Sequence, residues 1–408
     1  MKKNWYAPPA EGEVSYEDLV KKSGSGEFRE WAYSCSPFSL RETGYEEVMD
    51  DLNHFSPEEF MSAKPEKQEE LIDWVLGIYR EVDVFPISYL SERGIEEDIL
   101  KAWSYKAEFR NNGVKAGAGI GSPTCNFLFP NLYHAYSNSD SGKGVTRSTW
   151  GKFFDDEFLR RAIRFAWQYS NTTPTPSSIM GALRMTGSSP TNFRPMNAQA
   201  IYERLAPNGG VLYDSSTGFG GRLMGALTSK KGYRYVGVDP NTESMFNTHR
   251  LADYLEKYLP STPGVPSVSD RVELHCVGSE IFCGPEESID AAFTSPPYFD
   301  LEIYSDEESQ SVSKFPKLDG WLEGFVRPTI RNTVKMLKPG ALYAVNIADF
   351  RSASGSVNYV DEWSSICEEE GAPRYDTFYL EVNARAGSKQ QQMGESKKEP
   401  ILIFRKER

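Results

Sequence analysis

Several absences bound what this 408-residue chain can be. Its five cysteines, Cys35, Cys125, Cys276, Cys283 and Cys367, include no CxxC pair. A disulfide framework and a thiolate zinc site are therefore not expected. Its four histidines, His54, His134, His249 and His275, are never paired at ligand spacing, so metal chemistry is not expected either. No run of eighteen apolar residues occurs, and the opening MKKNWYAPPAEGEVSYEDL lacks a signal-peptide core. A soluble, cytoplasmic protein is the expectation.

Positive charge is also scarce, with a formal net charge of −13. The deficit is uneven. Residues 1–100 hold 10 Lys/Arg against 23 Asp/Glu, residues 101–190 hold 11 against 5, and residues 191–408 hold 24 against 30. An anionic polymer would therefore meet the middle stretch. Within it, Arg160, Arg161 and Arg164 on a predicted helix over 155–169, with Lys106, Arg110 and Arg147, are the candidate contacts with such a polymer. That helix is expected to bury Phe158, Ala162, Phe165 and Ala166. An earlier helix over 65–81 is expected to bury Leu71, Trp74, Val75 and Ile78. No branched strand precedes GAGIG (117–121) and no clear helix follows it, so a plain loop is expected there.

What is present is ample core material: 39% of residues are hydrophobic and 13% aromatic, which excludes global disorder. From about residue 190 the pattern alternates strands and helices. VLYD, YRYVGVD, VELHCVG, IDAAFTS and ALYAVNIAD read as successive strands of a parallel sheet. DTFYLEVNAR and EPILIFRK read as an antiparallel hairpin at its edge. The chain divides on this reading into an N-terminal domain, 1–190, charged with target recognition, and a catalytic domain, 191–408.

Chemistry gathers where those strands end. After VLYD come Asp214, Thr217, Gly218, Phe219, Gly220 and Gly221, then a helix. Glycines allow a tight turn and close backbone approach, and a helix N-terminus favours an anionic ligand group. Asp239 ends the second strand, where an acid can accept hydrogen bonds from both ribose hydroxyls. Ser279 and Glu280 follow the third strand and could meet an adenine edge. These features also fit a dinucleotide.

The fourth strand exits into Ser295-Pro296-Pro297-Tyr298. Two prolines make a rigid corner. There the Ser295 hydroxyl and the Pro296 carbonyl can accept hydrogen bonds from an exocyclic amine, and the Tyr298 ring can stack on a flipped base. The acidic run DLEIYSDEESQS after it reads either as a surface loop or as a lid bringing Asp300 or Glu302 to the base edge.

This tetrapeptide resembles the [Asp/Asn/Ser]-Pro-Pro-aromatic motif of the DNA amino-methyltransferases, which use S-adenosylmethionine. The Asp214–Gly221 loop is similar to that family's cofactor loop, with Ser215 and Ser216 replacing the usual proline and aromatic. NFRPMNAQAIYERL is similar to its segment before the first helix, which implies Phe193, Arg194 and Pro195 near the methionine end of the cofactor.

The resemblance spans roughly 190–408. It implies a class I methyltransferase fold, Rossmann-like, with a mostly parallel seven-stranded sheet, an antiparallel edge hairpin and a mainly helical, loop-rich N-terminal domain. It further implies a prokaryotic or phage-type enzyme, of the kind found in restriction–modification, that methylates cytosine N4 in DNA. Adenine N6, an RNA base or a protein glutamine are alternative substrates. A catalytically silent DNA-binding module is the alternative from another class.

Overall fold

The computed structural model describes residues 4–24, 50, 52, 56–82, 85, 90–106, 108–110, 113–115, 119–137, 148–169, 173–185, 190–352, 355–382 and 397–407. Seven strands carry the C-terminal half: β1 (Val211–Asp214), β2 (Arg234–Val238), β3 (Val272–His275), β4 (Ile289–Thr294), β5 (Leu337–Val345), β6 (Arg374–Val382) and β7 (Lys397–Arg405). They lie in the order β3-β2-β1-β4-β5-β7-β6. Pairing is parallel throughout except for β7, which is antiparallel to both neighbours. This is the expected class I methyltransferase order, with the direction of winding reversing between β1 and β4.

Strands buried on both faces need apolar residues on both, and the sequence supplies them. Leu212, Ala291 and Ile403 face one core, while Tyr213, Ala292 and Leu402 face the other. After β4 a continuous helix runs from Leu318 to Met336, α-helical over Leu318–Trp321, π-helical over Leu322–Val326 and α-helical again over Arg327–Met336. Pro328 sits where the π segment hands over to α-helix, and its missing N–H is the physical reason for the local change of hydrogen-bond spacing.

The sheet does not stop at the hairpin. Gly113–Lys115 pairs in parallel with β6 and, with Phe109–Arg110, extends the sheet to nine strands. The N-terminal residues are tied to the opposite side, where Val14 bridges Cys276. The Trp5, Tyr6 and Ala7 amides all donate to the Glu273 carboxylate. Part of 1–190 is thus built into the sheet of the C-terminal half.

The remainder has its own core. Helices Pro65–Val82, Asp156–Tyr169 and Pro176–Met185 enclose Val75, Leu159, Ile163, Trp167 and Leu183. The first helix turns Ile72 and Tyr79 inward and leaves Trp74 38% exposed, contrary to expectation. In the second, the buried stripe is Leu159, Ala162, Ile163, Ala166 and Trp167, one position off the predicted face, and Phe158 and Phe165 flank it.

A helix, Ser122–Leu128, does follow Gly121. The carboxylate of Asp98, itself buried, fills its N-terminus by accepting from the Gly121 amide (2.9 Å), the Thr124 amide (3.1 Å) and the Thr124 hydroxyl (2.7 Å). A protein acid thus occupies the position a phosphate would take. Among the described residues, no helix is long and apolar enough to cross a membrane.

Candidate active site

Open α/β sheets bind ligands outside the carboxyl ends of their strands, where winding reverses. Here that point holds a cleft of about 660 Å³. Its walls include Phe193, Arg194, Thr217, Gly218, Phe219, Asp239 and Ser279 on one side, and Ser295, Pro297 and Tyr298 on the other. Residues scattered over more than a hundred positions of sequence therefore meet in one cavity.

The glycine loop is held from behind. Asp214 does not line the cleft: it is fully buried and accepts from Arg222 Nε (2.7 Å), Tyr235 Oη (2.6 Å) and the Ser216 amide (3.2 Å). Burial disfavours the Arg222 charge, but Asp214 outweighs it and keeps the guanidinium protonated. Arg222 also donates to the Ser216 carbonyl. Asp214 is thus an anchor for the loop, which corrects its expected contact with the cofactor.

Gly220 does not line the cleft either, but has a structural reason to be glycine. It caps the helix Gly221–Thr228 in the left-handed region (φ 75°), and a Cβ there would meet Leu251 and Phe129 at 2.6–2.8 Å. At Gly221 a side chain would collide with the Phe193 carbonyl. This close approach, with Asn192 donating to the Phe219 carbonyl at 2.8 Å, brings the Phe193–Arg194 segment to the loop.

Thr217 turns its hydroxyl onto the Val238 carbonyl (3.2 Å). Asp239 accepts from the amides of Gly218 (2.8 Å) and Asn241 (3.0 Å). Burial pushes its carboxyl up to about 6, against the pull of those two amides. Ser279 is buried and shares a hydrogen bond with Thr329 (3.0 Å). Glu280 turns away to pair with Lys314 (2.7 Å) and does not line the cleft, which corrects its assignment to an adenine edge.

At the diproline corner, the Ser295 hydroxyl is oriented toward the Asn346 carbonyl (3.4 Å), leaving its lone pairs for a donor in the cleft. Pro296 is buried behind the wall, while the Pro297 carbonyl accepts from Tyr359 (3.3 Å). The cleft lining therefore contains Ser295 and Pro297, and the expected outward carbonyl of Pro296 is not at its surface. Tyr298 is locked: its hydroxyl accepts from the Ala348 amide (3.0 Å), and Phe350 and Tyr359 meet its ring edge-on at 5.4 and 5.7 Å.

The acidic run after the tetrapeptide forms part of the cleft wall. Glu302–Ile303 pairs with Tyr136–Ser137. The Glu307 carboxylate accepts from the Thr242 amide (3.2 Å) and pairs with Lys22 (3.3 Å). Glu302, Tyr304, Gln310 and Ser311 line the cavity. Asp300 is not among the lining residues.

The expected DNA contacts fare differently. Arg160 pairs with Glu69 (2.9 Å) and Asp73, Arg164 with Glu69, and Arg161 with Glu157. These guanidinium groups are engaged by the protein's own acids. Lys106 is exposed and away from the cleft, the Arg110 side chain lies outside the described residues, and so does Arg147.

From the same basic stretch it is Arg184 that lines the cleft. Its buried Nη2 has no hydrogen-bond partner among the described residues, and its guanidinium covers the Tyr133 ring at 5.1 Å. Asn197, which sequence reasoning did not single out, and Ser215, within the expected loop, are 2% and 3% exposed, line the cleft and leave Oδ1 and Oγ without a partner among the described residues. The only sequence signal for them was their position beside Arg194 and Asp214.

Solved structures similar to this chain include an S-adenosylmethionine-dependent methyltransferase from Methanosarcina mazei, at 13% identity and a TM-score of 0.34, covering 51% of this chain and 97% of that one. Another is the 1,6-didemethyltoxoflavin-N1-methyltransferase of Burkholderia thailandensis with 1,6-didemethyltoxoflavin and S-adenosylhomocysteine bound, at 14% identity and 0.34, covering 52% and 77%. A third is an O-methyltransferase from Thermotoga maritima, at 14% and 0.34, covering 55% and 69%. The strand order, rather than these scores, carries the fold assignment. No family model and no curated protein matches the chain.

Proposed function

We propose that this chain is an S-adenosylmethionine-dependent methyltransferase that modifies an exocyclic amine of a flipped DNA base, cytosine N4 before adenine N6. The supporting observation is one juxtaposition. Ser295 and Tyr298 share a cavity with the Gly218 loop and Asp239, at the reversal point of the sheet.

The residues present fit an adenosyl cofactor. Asp239 stands where ribose hydroxyls would be received. The unpartnered polar atoms of Asn197 and Ser215 suit the polar methionine end. When bound, S-adenosylmethionine supplies an electrophilic methyl group.

The chain's own residues hold the acceptor amine. The Ser295 hydroxyl receives one N–H, the diproline corner fixes that hydroxyl in place, and the Tyr298 ring supplies a stacking face that Ala348, Phe350 and Tyr359 keep from turning. No strong base is needed, because the nitrogen sheds its proton after it has been methylated. Target recognition is assigned to residues 1–190, where Arg184 and Asn126 reach the cleft.

The test is methyl transfer from labelled S-adenosylmethionine to DNA, RNA and protein side by side, followed by mass spectrometry of the nucleosides. N4-methylcytosine in DNA is the expected product, and N6-methyladenine would reassign the base. Label in RNA or protein alone would overturn the DNA reading. Tyr298→Ala should lower kcat by about 10²-fold through misplacement of the base, while Tyr298→Phe, which keeps the ring, should lose less.

A further inference from the structure

Glu302 is a carboxyl group that the proposed chemistry leaves unused. It lines the cleft with Ser295, Pro297 and Tyr298, held there by the strand pairing of Glu302 with Ser137. Its Oε2 accepts a hydrogen bond from Tyr304 Oη at 2.5 Å, and among the described residues no Lys, Arg or His forms an ion pair with it. Burial holds its carboxyl above the usual carboxylate range, only partly offset by the Tyr304 hydroxyl and the Tyr298 amide. A half-buried carboxyl on the cleft wall with no cation beside it has its neutral form, a hydrogen-bond donor, favoured relative to a free carboxyl.

The base edge needs such a donor. In cytosine the amine adjoins N3, and in adenine it adjoins N1; each ring nitrogen is an acceptor that loses water when the base enters a closed pocket. The other groups near the tetrapeptide are committed. Ser295 is oriented toward the Asn346 carbonyl, the Asn346 amide donates to the Pro400 carbonyl, and Tyr304 donates to Glu302 itself.

We infer that Glu302 carries a proton and donates it in a hydrogen bond to the ring nitrogen beside the methylated amine, making it a substrate-contacting specificity residue. This rests on the reading of the cleft as a nucleobase-amine site. The contact selects an edge in which an acceptor nitrogen neighbours an NH2 group. The proton is shared rather than transferred, so the amine keeps its lone pair for the methyl group.

The experiment compares duplexes carrying cytosine or 3-deazacytosine at the methylated position, with 1-deazaadenine instead if that base is adenine. Wild type should lose about tenfold or more in kcat/KM on the deaza substrate. Glu302→Ala should be slow on both substrates and lose little further on the analogue, whereas Glu302→Gln, whose amide can donate, should keep the discrimination. Unchanged affinity of Glu302→Ala for S-adenosylhomocysteine confirms that it folds. Equal loss on the analogue in wild type and Glu302→Ala, or no loss in wild type, overturns the assignment of Glu302 while leaving the methyltransferase reading intact. Absence of any nucleobase methylation by wild type overturns both.

Discussion

Arg222 Nε lies 2.7 Å from Asp214 Oδ2, and the two side chains are only 5% and 0% exposed. The pair anchors the glycine loop through the Ser216 carbonyl and amide, and Arg222 itself reaches the cleft wall. Removing one partner strands the other's charge in the interior, which costs about 3–5 kcal/mol. Arg222→Met and Asp214→Leu should each shift the urea midpoint by that order. The double variant should recover much of the loss, whereas additive losses would show that the charges act independently.

Asp239 offers a pH handle on cofactor binding. On the proposed reading its carboxyl, pushed by burial up to about 6, must be ionised to accept from two ribose hydroxyls. Affinity for S-adenosylhomocysteine should therefore fall as pH drops through that value. Stability runs the other way: an acid raised above its unfolded value of about 3.9 costs the free protein stability as pH climbs from there toward 6. Calorimetric titration across this range should show the falling affinity, and Asp239→Asn should bind weakly and with a flat profile.

The arginines most visible in the sequence should prove the least important for DNA. Arg160→Ala and Arg164→Ala break surface pairs with Glu69 and Asp73. They should leave both DNA affinity and its salt slope unchanged. Arg184→Ala should weaken binding and flatten the slope by about one unit. Fluorescence anisotropy over a salt series distinguishes the two classes.

His275, the last residue of β3, ties the N-terminal segment around Glu13 to the sheet. Burial alone would lower its pKa, but hydrogen bonds with Glu13 (3.0 Å to Nδ1) and Glu273 (2.8 Å to Nε2) outweigh burial and raise it. The imidazolium contribution is therefore complete below about pH 6.5 and fades as pH rises through the raised folded value. Thermal unfolding should show a lower Tm above that range. Glu13→Gln should lower Tm most at acidic pH and so reduce the slope.

The catalytic sheet was legible because buried parallel strands advertise themselves as short apolar runs, each ended by glycine, acid or proline. Ser295 to Tyr298 and Asp239 were legible for the same reason, since their place follows from strand order. Side-chain direction was not. Nothing local shows that Asp214 turns inward toward Tyr235, or that Glu280 chooses Lys314. Nor could helical spacing reveal that Glu69, 91 positions before Arg160, would claim that arginine. The helix after Gly121 was missed because its stabilising acid, Asp98, lies on another helix. Arg184 carries no motif and reaches the cleft only through the packing of its helix against Tyr133 and the neighbouring core.

The pairing of Gly113–Lys115 with β6 bears on how the protein can be divided. Expressed from residue 190 onward, the C-terminal half would uncover the backbone groups of Tyr379–Glu381 that Gly113–Lys115 now covers, lengthening the open edge of β6. Such an edge recruits strands from other molecules. That fragment should self-associate, and supplying a peptide spanning 105–118 should return it to the monomer.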